Sequence, residues 1–419
     1  MGGELPDDGE PPVEVLERLV AAADPGLVAS PGPRYFGFVV GGALPVSVAA
    51  DWLVSAWDQN AAAHVLSPAA AAIEEACRRW LLALLDLPSG ASAGFVTGGQ
   101  GANTTCLAAA RHAVLRDAGW DVEEDGLAGA PPIEVVVGEE AHATIFSALR
   151  LLGLGAGRAR RVATDDQGRM EPAALAATLR DGSGPAIVCA QAGEVNTGAF
   201  DAFDPIADAC AERGAWLHVD GAFGLWARAT PRLRELARAA ERADSWATDA
   251  HKFLNVPYDL GLAFVADPAA HLAVYTRDAA YLMRSEVERD PASYVPEASR
   301  RARAVPLYAA LRTLGRRGVA ELVERCCGLA RQMAAALDAE PGLRVLNEVV
   351  LNQVLVALDD PRATDAALAR IQADGTCWVG GTRWKAAPAI RVSFSNWSTT
   401  PADVERSAQA IVAAVRQAS

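Results

Sequence analysis

Lys252 and Asp220 carry side chains that could act together on one bound group. Lys252 follows His251 in the segment TDAHKF (residues 248–253), and Asp220 lies upstream in HVDGA (218–222). The stretch between them is long enough for one crossover between parallel strands, so both residues could lie at strand ends of a single sheet. A lysine amine can form a Schiff base, and a carboxylate can keep a pyridinium nitrogen protonated. Pyridoxal 5′-phosphate (PLP) requires both groups.

Taken alone, the two residues are also consistent with ordinary surface positions. A loop lysine is usually a solvated charge, and an aspartate at a strand end is often a turn former. The hypothesis therefore depends on further groups in a suitable order.

A glycine-containing turn is a candidate for phosphate binding. Gly98, Gly99 and Gln100 stand between a predicted strand at 93–96 and a predicted helix that runs to about residue 116. Glycines let a ligand approach the backbone, and the free N–H groups of a first helical turn can bind phosphate. The turn is neither a Walker A loop nor a Gly-x-Gly-x-x-Gly fingerprint, so a simple tight turn is the alternative.

His142 and Asn196 are two further candidates. His142 begins a predicted helix and could lie flat on an aromatic ring and shuttle a proton, because histidine titrates near neutral pH. Asn196 follows a predicted strand and could donate a hydrogen bond to a cofactor oxygen, since α/β sheets bind ligands at the carboxyl ends of their strands. Each candidate from Gly98 to Lys252 thus follows a predicted strand, which favours one shared site over scattered turns.

Positioning these residues requires a sheet whose strands end at one edge. Short strands are predicted at 93–96, 133–137, 160–163, 186–190, 215–219 and 261–265, with helices between several of them. The unbroken apolar runs predict central parallel strands covered on both faces. The fold class is therefore α/β, with a large mixed, mostly parallel sheet and a smaller C-terminal α+β domain.

The chain divides into three predicted parts. These are an N-terminal helical segment (1–85), a large cofactor-binding domain (86–296) and a small C-terminal domain (297–419). In the small domain, a long helix is predicted at about 305–337, strands near 345–356 and 389–395, and a closing helix at 403–418.

Composition limits the partners and the compartment. The net charge of −14 argues against nucleic acid or an anionic membrane as a partner. The N-terminus lacks the basic and then apolar pattern of a signal peptide. The seven cysteines show no metal-ligand spacing, so buried free thiols in a reducing cytoplasm are the expectation, without a metal.

The chain resembles the group II PLP-dependent amino-acid decarboxylases, the family of the aromatic-L-amino-acid, glutamate and histidine decarboxylases. The resemblance is to bacterial members and covers roughly residues 30 to 415. The matching motifs, in family order, are Ser67-Pro68 with Glu74, Gly98-Gly99 with Ala102-Asn103, Ala141-His142, NTGAFD (196–201), HVDGA (218–222), DAHK (249–252) with Tyr258-Asp259, and SRRAR (299–303).

The resemblance implies a PLP-dependent transferase fold of type I and a role for each site residue. Lys252 would form the Schiff base, Asp220 would pair with the pyridine nitrogen, and His142 would stack on the ring. Ala222 would pack on the opposite ring face. The remaining positions, which would hold the phosphate, are Gly99, Gln100 and His251, with Gly98 in the same turn.

The implied reaction is decarboxylation of an L-amino acid to its amine by an obligate homodimer with shared active sites. Aromatic residues at 33–37 and 57–60 would line the entrance and favour an aromatic substrate, although aromatics at such spacings are as often part of a core. A tyrosine of the segment 281–296, either Tyr281 or Tyr294, is the candidate for protonating the substrate carbon.

Three departures from the family pattern keep other functions open. Gln100-Gly101 replaces a phosphate-binding hydroxyl, for which Thr97 or Thr248 could compensate. Glu194-Val195 replaces a threonine pair, and its role is assigned instead to Asn196. Asp249 stands where some members carry asparagine, and because its charge would repel a phosphate it is assigned no phosphate role.

Four alternatives remain. One is decarboxylation coupled to oxidative deamination, which gives an aldehyde. Transamination, with Arg391 gripping a carboxylate, and carbon–carbon lyase chemistry are two others. The last is a non-catalytic α/β protein that keeps only the scaffold.

Overall fold

The larger of two sheets carries the candidate site residues at the ends of its strands. The computed structural model describes residues 4–277 and 288–418. In chain order the strands of this sheet are β1 (Ser92–Val96), β2 (Glu134–Gly138), β3 (Arg160–Val162), β4 (Ala186–Gln191), β5 (Trp216–Asp220), β6 (Ser245–Asp249) and β7 (Gly261–Val265). Strands β4 to β7 are buried along their whole length, as expected when helices cover both faces.

The sheet is mixed and mostly parallel. Its seven strands within the described residues are ordered β1-β7-β6-β5-β4-β2-β3. Strands β6, β5, β4, β2 and β3 are parallel, whereas β7 is antiparallel to both of its neighbours, β6 and β1. The carboxyl ends of β1, β6, β5 and β4 consequently lie at one edge of the sheet.

Helices precede the sheet and connect its strands. Each begins with a recognisable start signal or packs by an apolar face; for example, Ser67 accepts a hydrogen bond from the N–H of Ala70 at the start of α3. They are α1 (Pro12–Ala23), α2 (Pro45–Trp57), α3 (Pro68–Leu84), α4 (Gly99–Asp117), α5 (Val122–Asp125), α6 (Ala143–Leu151), α7 (Pro172–Asp181), α8 (Phe203–Arg213) and α9 (Pro268–Tyr275).

The C-terminal part contains a second, smaller sheet that is antiparallel throughout. Its order is β10-β11-β9-β8. The elements are α10 (Ala304–Asp338), β8 (Leu343–Val345), β9 (Gln353–Leu358), α11 (Thr364–Asp374), β10 (Gly380–Trp384), β11 (Ala387–Ser393) and α12 (Pro401–Ala418). Helix α10 is interrupted at Gly315, whose φ of 60° and ψ of −179° are not helical.

The predicted architecture is confirmed, with three local differences. The sequence analysis did not predict β6 or β10, which are short strands rich in polar residues or glycine. The predicted helical character of residues 10–85 holds for α1, α2 and α3, but residues 27–44 contain no helix. The division at residues 85 and 296 stays a prediction, and α10 packs against both α2 and α3 across it.

Two further observations concern the cysteines and the helices. All seven cysteines are buried and free. No helix of the described chain is both long enough and apolar enough to span a membrane.

Candidate functional site

The strand order brings the predicted residues to one edge of the large sheet. Asp220 and Asp249 are the last residues of the adjacent parallel strands β5 and β6. Gly261, at the start of β7, lies opposite both Asp249 and Val96, the last residue of β1. The turn after β1 therefore meets the loop after β6 across the end of β7.

Lys252 lies in that loop with its amine beside a buried carboxylate. Its Nζ is 2.9 Å from Oδ2 of Asp249, and the Asp249 side chain is 2% exposed. The Nζ atom also lies 5.9 Å from the centre of the Phe223 ring. The backbone is tightly held, since a Cβ on Gly41 would come within 1.9 Å of the Lys252 carbonyl oxygen.

His251 has a defined orientation. Its Nδ1 accepts a hydrogen bond of 3.2 Å from the N–H of Leu260, and its Nε2 lies 3.6 Å from Oδ1 of Asp249. Burial lowers the pKa of His251, while the Asp249 carboxylate opposes that shift. The neutral ring therefore carries its proton on Nε2 and can donate it to a bound anion.

The Asp220 carboxylate could still bind a cationic partner. Its Oδ2 accepts from Nδ2 of Asn103 at 3.0 Å, and its Oδ1 accepts from the N–H of Ala222 at 3.2 Å. The carbonyl of Ala222 in turn accepts from the N–H of Asp249. These hydrogen-bond donors to the carboxylate are uncharged, so a protonated ring nitrogen would add the opposite charge that this buried group lacks.

His142 stands at the start of α6. Its Nδ1 lies 2.8 Å from Oγ1 of Thr144 and accepts the Thr144 N–H at 3.3 Å. Burial lowers the pKa of His142; the charges of Lys252 and Arg391 act in the same direction, and Asp220 opposes them. The charges of Lys252, Arg391 and Asp220 therefore all act on the His142 ring.

The Gly98-Gly99 turn requires glycine. Gly98 has a φ of 142°, and a Cβ on Gly99 would come within 2.8 Å of Oδ2 of Asp249. The turn opens α4, whose first N–H groups have no partner within the helix and can bind an anion. Gln100, in that first turn, is exposed.

The residues fit PLP. The turn can hold a phosphate, Asp220 can hold a ring nitrogen, and Lys252 supplies the amine. Oδ1 of Asp249 is buried and, in the described part of the chain, lacks a hydrogen-bond partner, as expected of an atom that faces a ligand site.

Asn196 lies in the loop after β4 with its amide already engaged. Its Nδ2 donates to Oε1 of Glu194 at 2.8 Å, and its Oδ1 accepts from Oγ1 of Thr382 at 2.8 Å. The neighbouring Arg391 donates from Nη1 to the Val195 carbonyl at 3.1 Å. These contacts tie the loop to the small sheet, and the predicted hydrogen bond from Asn196 to a cofactor stays a prediction.

Tyr294 packs beside β1. Its ring centre is 5.3 Å from that of His271, and the guanidinium carbon of Arg289 is 3.8 Å from the ring centre. None of these contacts, which involve described residues, reaches Lys252 or Asp220. The proton-donor role of Tyr294 stays a prediction, and Tyr281 lies outside the described residues.

Three functional candidates were missed as site residues in the sequence analysis: Asn103, Thr144 and the Lys252 partner Asp249. Asn103 belongs to a motif that carried the family resemblance, so its position was a usable signal. Asp249 belongs to the DAHK motif and lies three residues before Lys252, so its position was also a usable signal. Thr144 gains its role through its contact with Asn103, which is distant in the chain.

Comparison with known proteins identifies the same family that the sequence motifs resemble. The profile of the pyridoxal-dependent decarboxylase conserved domain matches residues 3–358. The human acidic amino acid decarboxylase GADL1 is 29% identical over 354 residues, which is 82% of this chain and 67% of the relative. The aromatic-L-amino-acid decarboxylase of Bacillus atrophaeus is 28% identical over 358 residues, which is 84% of this chain and 72% of the relative.

Solved structures share the fold over almost the whole chain. The structure of Oryza sativa TDC with PLP and tryptamine superposes with a TM-score of 0.92 at 23% identity, covering 99% of this chain and 90% of that one. Mouse CSAD gives a TM-score of 0.90 at 24% identity, covering 98% and 89%. The predicted type I fold is thereby confirmed, and the domain match goes further: the chain belongs to the pyridoxal-dependent decarboxylase family, an amino-acid carboxy-lyase family whose cofactor is PLP.

Proposed function

We propose that the protein removes the α-carboxylate of an L-amino acid as CO2 and releases the amine. The observation that carries this proposal is the meeting of Lys252, Asp220 and His142 with the Gly98-Gly99 turn at one edge of the sheet. Each group suits one part of the cofactor, and the order of the groups along the chain matches the family motifs.

The residues that would hold the cofactor divide by the part they contact. Lys252 would hold it through its aldehyde carbon, and Asp220 through its ring nitrogen. His142 and Ala222 would cover the two faces of the ring. The phosphate would be held by the backbone and side chains of the turn and by one histidine, that is, by Gly98, Gly99, Gln100 and His251.

The chemistry follows from these contacts. When bound, PLP supplies an electron sink that stabilises negative charge on the substrate carbon. Asp220 would keep the ring nitrogen protonated, which deepens that sink. His142, neutral because burial lowers its pKa, would offer an N–H donor without adding a positive charge near the departing carboxylate.

An aromatic substrate is supported by an aromatic cluster that includes residues 35 and 38, close in the chain to Gly41, which packs on the backbone carbonyl of Lys252. The Tyr35 and Trp378 rings stack with centres 4.9 Å apart, and Phe38 lies 5.3 Å from Trp378. Phe38 is 65% exposed, and its φ of 53° is a left-handed conformation that is costly outside glycine. Strain that keeps an aromatic ring exposed favours a binding role.

An acidic amino acid is the second candidate. Arg391 is half-buried in β11 and its charge acts on His142, so it could bind a second carboxylate of the substrate. The charge of Glu194 acts on Arg391 in turn, which would weaken that attraction. Aromatic substrates are therefore favoured.

A screen of the amino acids for CO2 release tests the proposal. Aromatic amino acids should give the fastest release, with amine as the product. Preference for glutamate, aspartate or cysteine sulfinate would favour the second candidate. Aldehyde with ammonia would identify the oxidative alternative, and no CO2 from any amino acid would contradict decarboxylation.

A homodimer is part of the same proposal. Helix α1 buries no residue, although Val13, Leu16, Leu19 and Val20 are apolar. On α2, Trp52 is 70% and Trp57 is 51% exposed. Such a concentration of exposed apolar side chains favours a protein interface, and a second copy of this chain is the partner that the family resemblance implies. The buried free thiols favour a reducing compartment such as the cytoplasm.

A further inference from the structure

Asn103, in the second turn of α4, makes hydrogen bonds with three residues on two other elements, β5 and α6. It is fully buried. Its Nδ2 donates to Oδ2 of Asp220 at 3.0 Å and to Oγ1 of Thr144 at 3.1 Å. Its Oδ1 lies 3.0 Å from Nε2 of His218. One amide thus contacts the end of β5, its interior and the start of α6, and it uses both of its N–H donors.

The direction of each hydrogen bond can be assigned from partners that can only donate or only accept. An ionised carboxylate only accepts, so the amide nitrogen of Asn103 must face Asp220 and its oxygen must face His218. His218 then donates from Nε2. Burial lowers the pKa of His218 to about 4, so the ring is neutral and its Nδ1 must accept.

The hydrogen bonds beyond His218, which involve Ser245 and Trp216, agree with this direction. Nδ1 of His218 lies 3.0 Å from Oγ of Ser245, and Ser245 accepts from the indole N–H of Trp216 at 2.9 Å. An indole N–H can only donate. Ser245 accepts a hydrogen bond from that N–H and donates its own hydroxyl hydrogen to Nδ1 of His218, which is the direction required from the Asp220 end.

The same direction continues to His142. Thr144 accepts from Asn103, so its hydroxyl proton is free to point at Nδ1 of His142, 2.8 Å away. The backbone N–H of Thr144 points at that same Nδ1 at 3.3 Å. Two donors face one ring nitrogen, which must therefore be the unprotonated one.

We propose that Asn103 is a positioning residue that, through Thr144, holds His142 in the tautomer with its proton on Nε2 while it orients the Asp220 carboxylate. The inference rests on the proposed roles of His142 and Asp220. It adds that a single amide, that of Asn103, fixes both the tautomer of His142 at the ring face and the orientation of Asp220 at the ring nitrogen.

The opposite tautomer would disrupt these contacts. A proton on Nδ1 of His142 would face the Thr144 N–H directly, and the Thr144 hydroxyl would have to turn away. A buried donor left without an acceptor costs free energy. The arrangement therefore keeps an N–H donor on the ring nitrogen remote from Thr144.

Asn103→Asp tests the inference because it keeps the shape and removes both donors. The Thr144 hydroxyl would then donate to the introduced carboxylate and leave only the backbone N–H of Thr144, at 3.3 Å, to oppose a proton on Nδ1 of His142. Thr144→Val is the second variant, since it removes only the hydroxyl. Thr230→Val is the matched control, because it removes a buried hydroxyl that donates to Oε1 of Glu324 at 2.7 Å, away from the site.

The measurement is nitrogen NMR of the holoenzyme labelled in its six histidines, with His142 assigned by its loss in His142→Asn. The expected wild-type signal is Nε2–H. Asn103→Asp and Thr144→Val should shift protons toward Nδ1 and lower kcat by about tenfold, with less change in KM, whereas Thr230→Val leaves both unchanged. If Asn103→Asp does not fold, Thr144→Val alone decides.

A wild-type Nδ1–H signal, or variants whose His142 signal does not move, would overturn the inference even if the enzyme is active. A wild-type protein that binds PLP but releases no CO2 would instead contradict the proposed function. The two failures are therefore distinguishable.

Discussion

Asp249 carries a negative charge at the proposed cofactor site. Its buried carboxylate pairs with the Lys252 amine at 2.9 Å, and it faces the turn proposed to hold a phosphate. A phosphate bound in that turn would bring a like charge toward the carboxylate. This repulsion would oppose cofactor binding.

We predict that Asp249→Asn binds PLP about tenfold more tightly, because a neutral amide avoids the repulsion and can donate to the phosphate. Titration of the visible absorbance of the bound cofactor measures this affinity. Asp267→Asn, which removes the same charge at the start of α9, is the control and should leave the affinity unchanged. Weaker binding of PLP by Asp249→Asn would mean that the carboxylate itself helps to hold the cofactor.

Some site residues could be predicted from the sequence and others could not, and the difference has a physical reason. His142 and Asp220 follow predicted strands, and a parallel sheet gathers such positions at one edge. His251 and Lys252 follow β6, which was not predicted, and were found through their own motif. The position of Asn103 depends instead on which helix face meets β5. Sequence spacing does not carry that information, because it arises from packing between distant elements.

At the scale of elements, strand β7 sets the distance between the phosphate turn and the lysine loop. Gly261 starts β7, and a Cβ there would come within 2.4 Å of the Gly98 backbone. The apolar run of β7 was predicted, whereas β6 was missed because Ser245, Thr248 and Asp249 make three of its five residues polar. The hydroxyls of Ser245 and Thr248 bond to groups of neighbouring segments, which the pattern of one strand does not reveal.

We predict that Gly261→Ala displaces the Gly98 turn and weakens PLP binding by at least about tenfold, because the clash is with backbone and cannot be relieved by a side-chain rotation. The visible absorbance titration applies here too. Gly328→Ala is the control, since a Cβ on Gly328 in α10 meets nothing within 4 Å. It should preserve cofactor affinity and raise stability by about 0.5–1 kcal/mol. Unchanged cofactor affinity in Gly261→Ala would show that the turn is not the phosphate site.

At the scale of the whole molecule, the N-terminal helices α1 and α2 expose many apolar side chains to solvent in the single chain. The apolar pattern of α1 and α2 predicted helices correctly, but it did not show that one face would have no partner within the chain. That outcome follows from the long helix α10, which covers Ala50 and Val54 of α2 and leaves the tryptophans outside.

We predict that the double substitution Trp52→Glu with Trp57→Glu converts a homodimer to monomers, because two charges would have to be buried at the interface. Sedimentation velocity measures the change. Leu151→Glu, at a leucine of α6 that is 68% exposed, is the control and should stay dimeric. A wild-type protein that sediments as a monomer would contradict the proposed assembly.

The central claim is that Lys252 is the amine that holds PLP, and the sequence makes its test simple. The chain contains two lysines, Lys252 and Lys385, and Nζ of Lys385 donates to the Asp165 carbonyl at 2.7 Å in an exposed position. Borohydride reduction of the holoenzyme followed by peptide mass spectrometry locates the linkage. We predict that the label lies on Lys252 alone and is lost in Lys252→Ala; a label on Lys385, or an undiminished label in Lys252→Ala, would contradict the account.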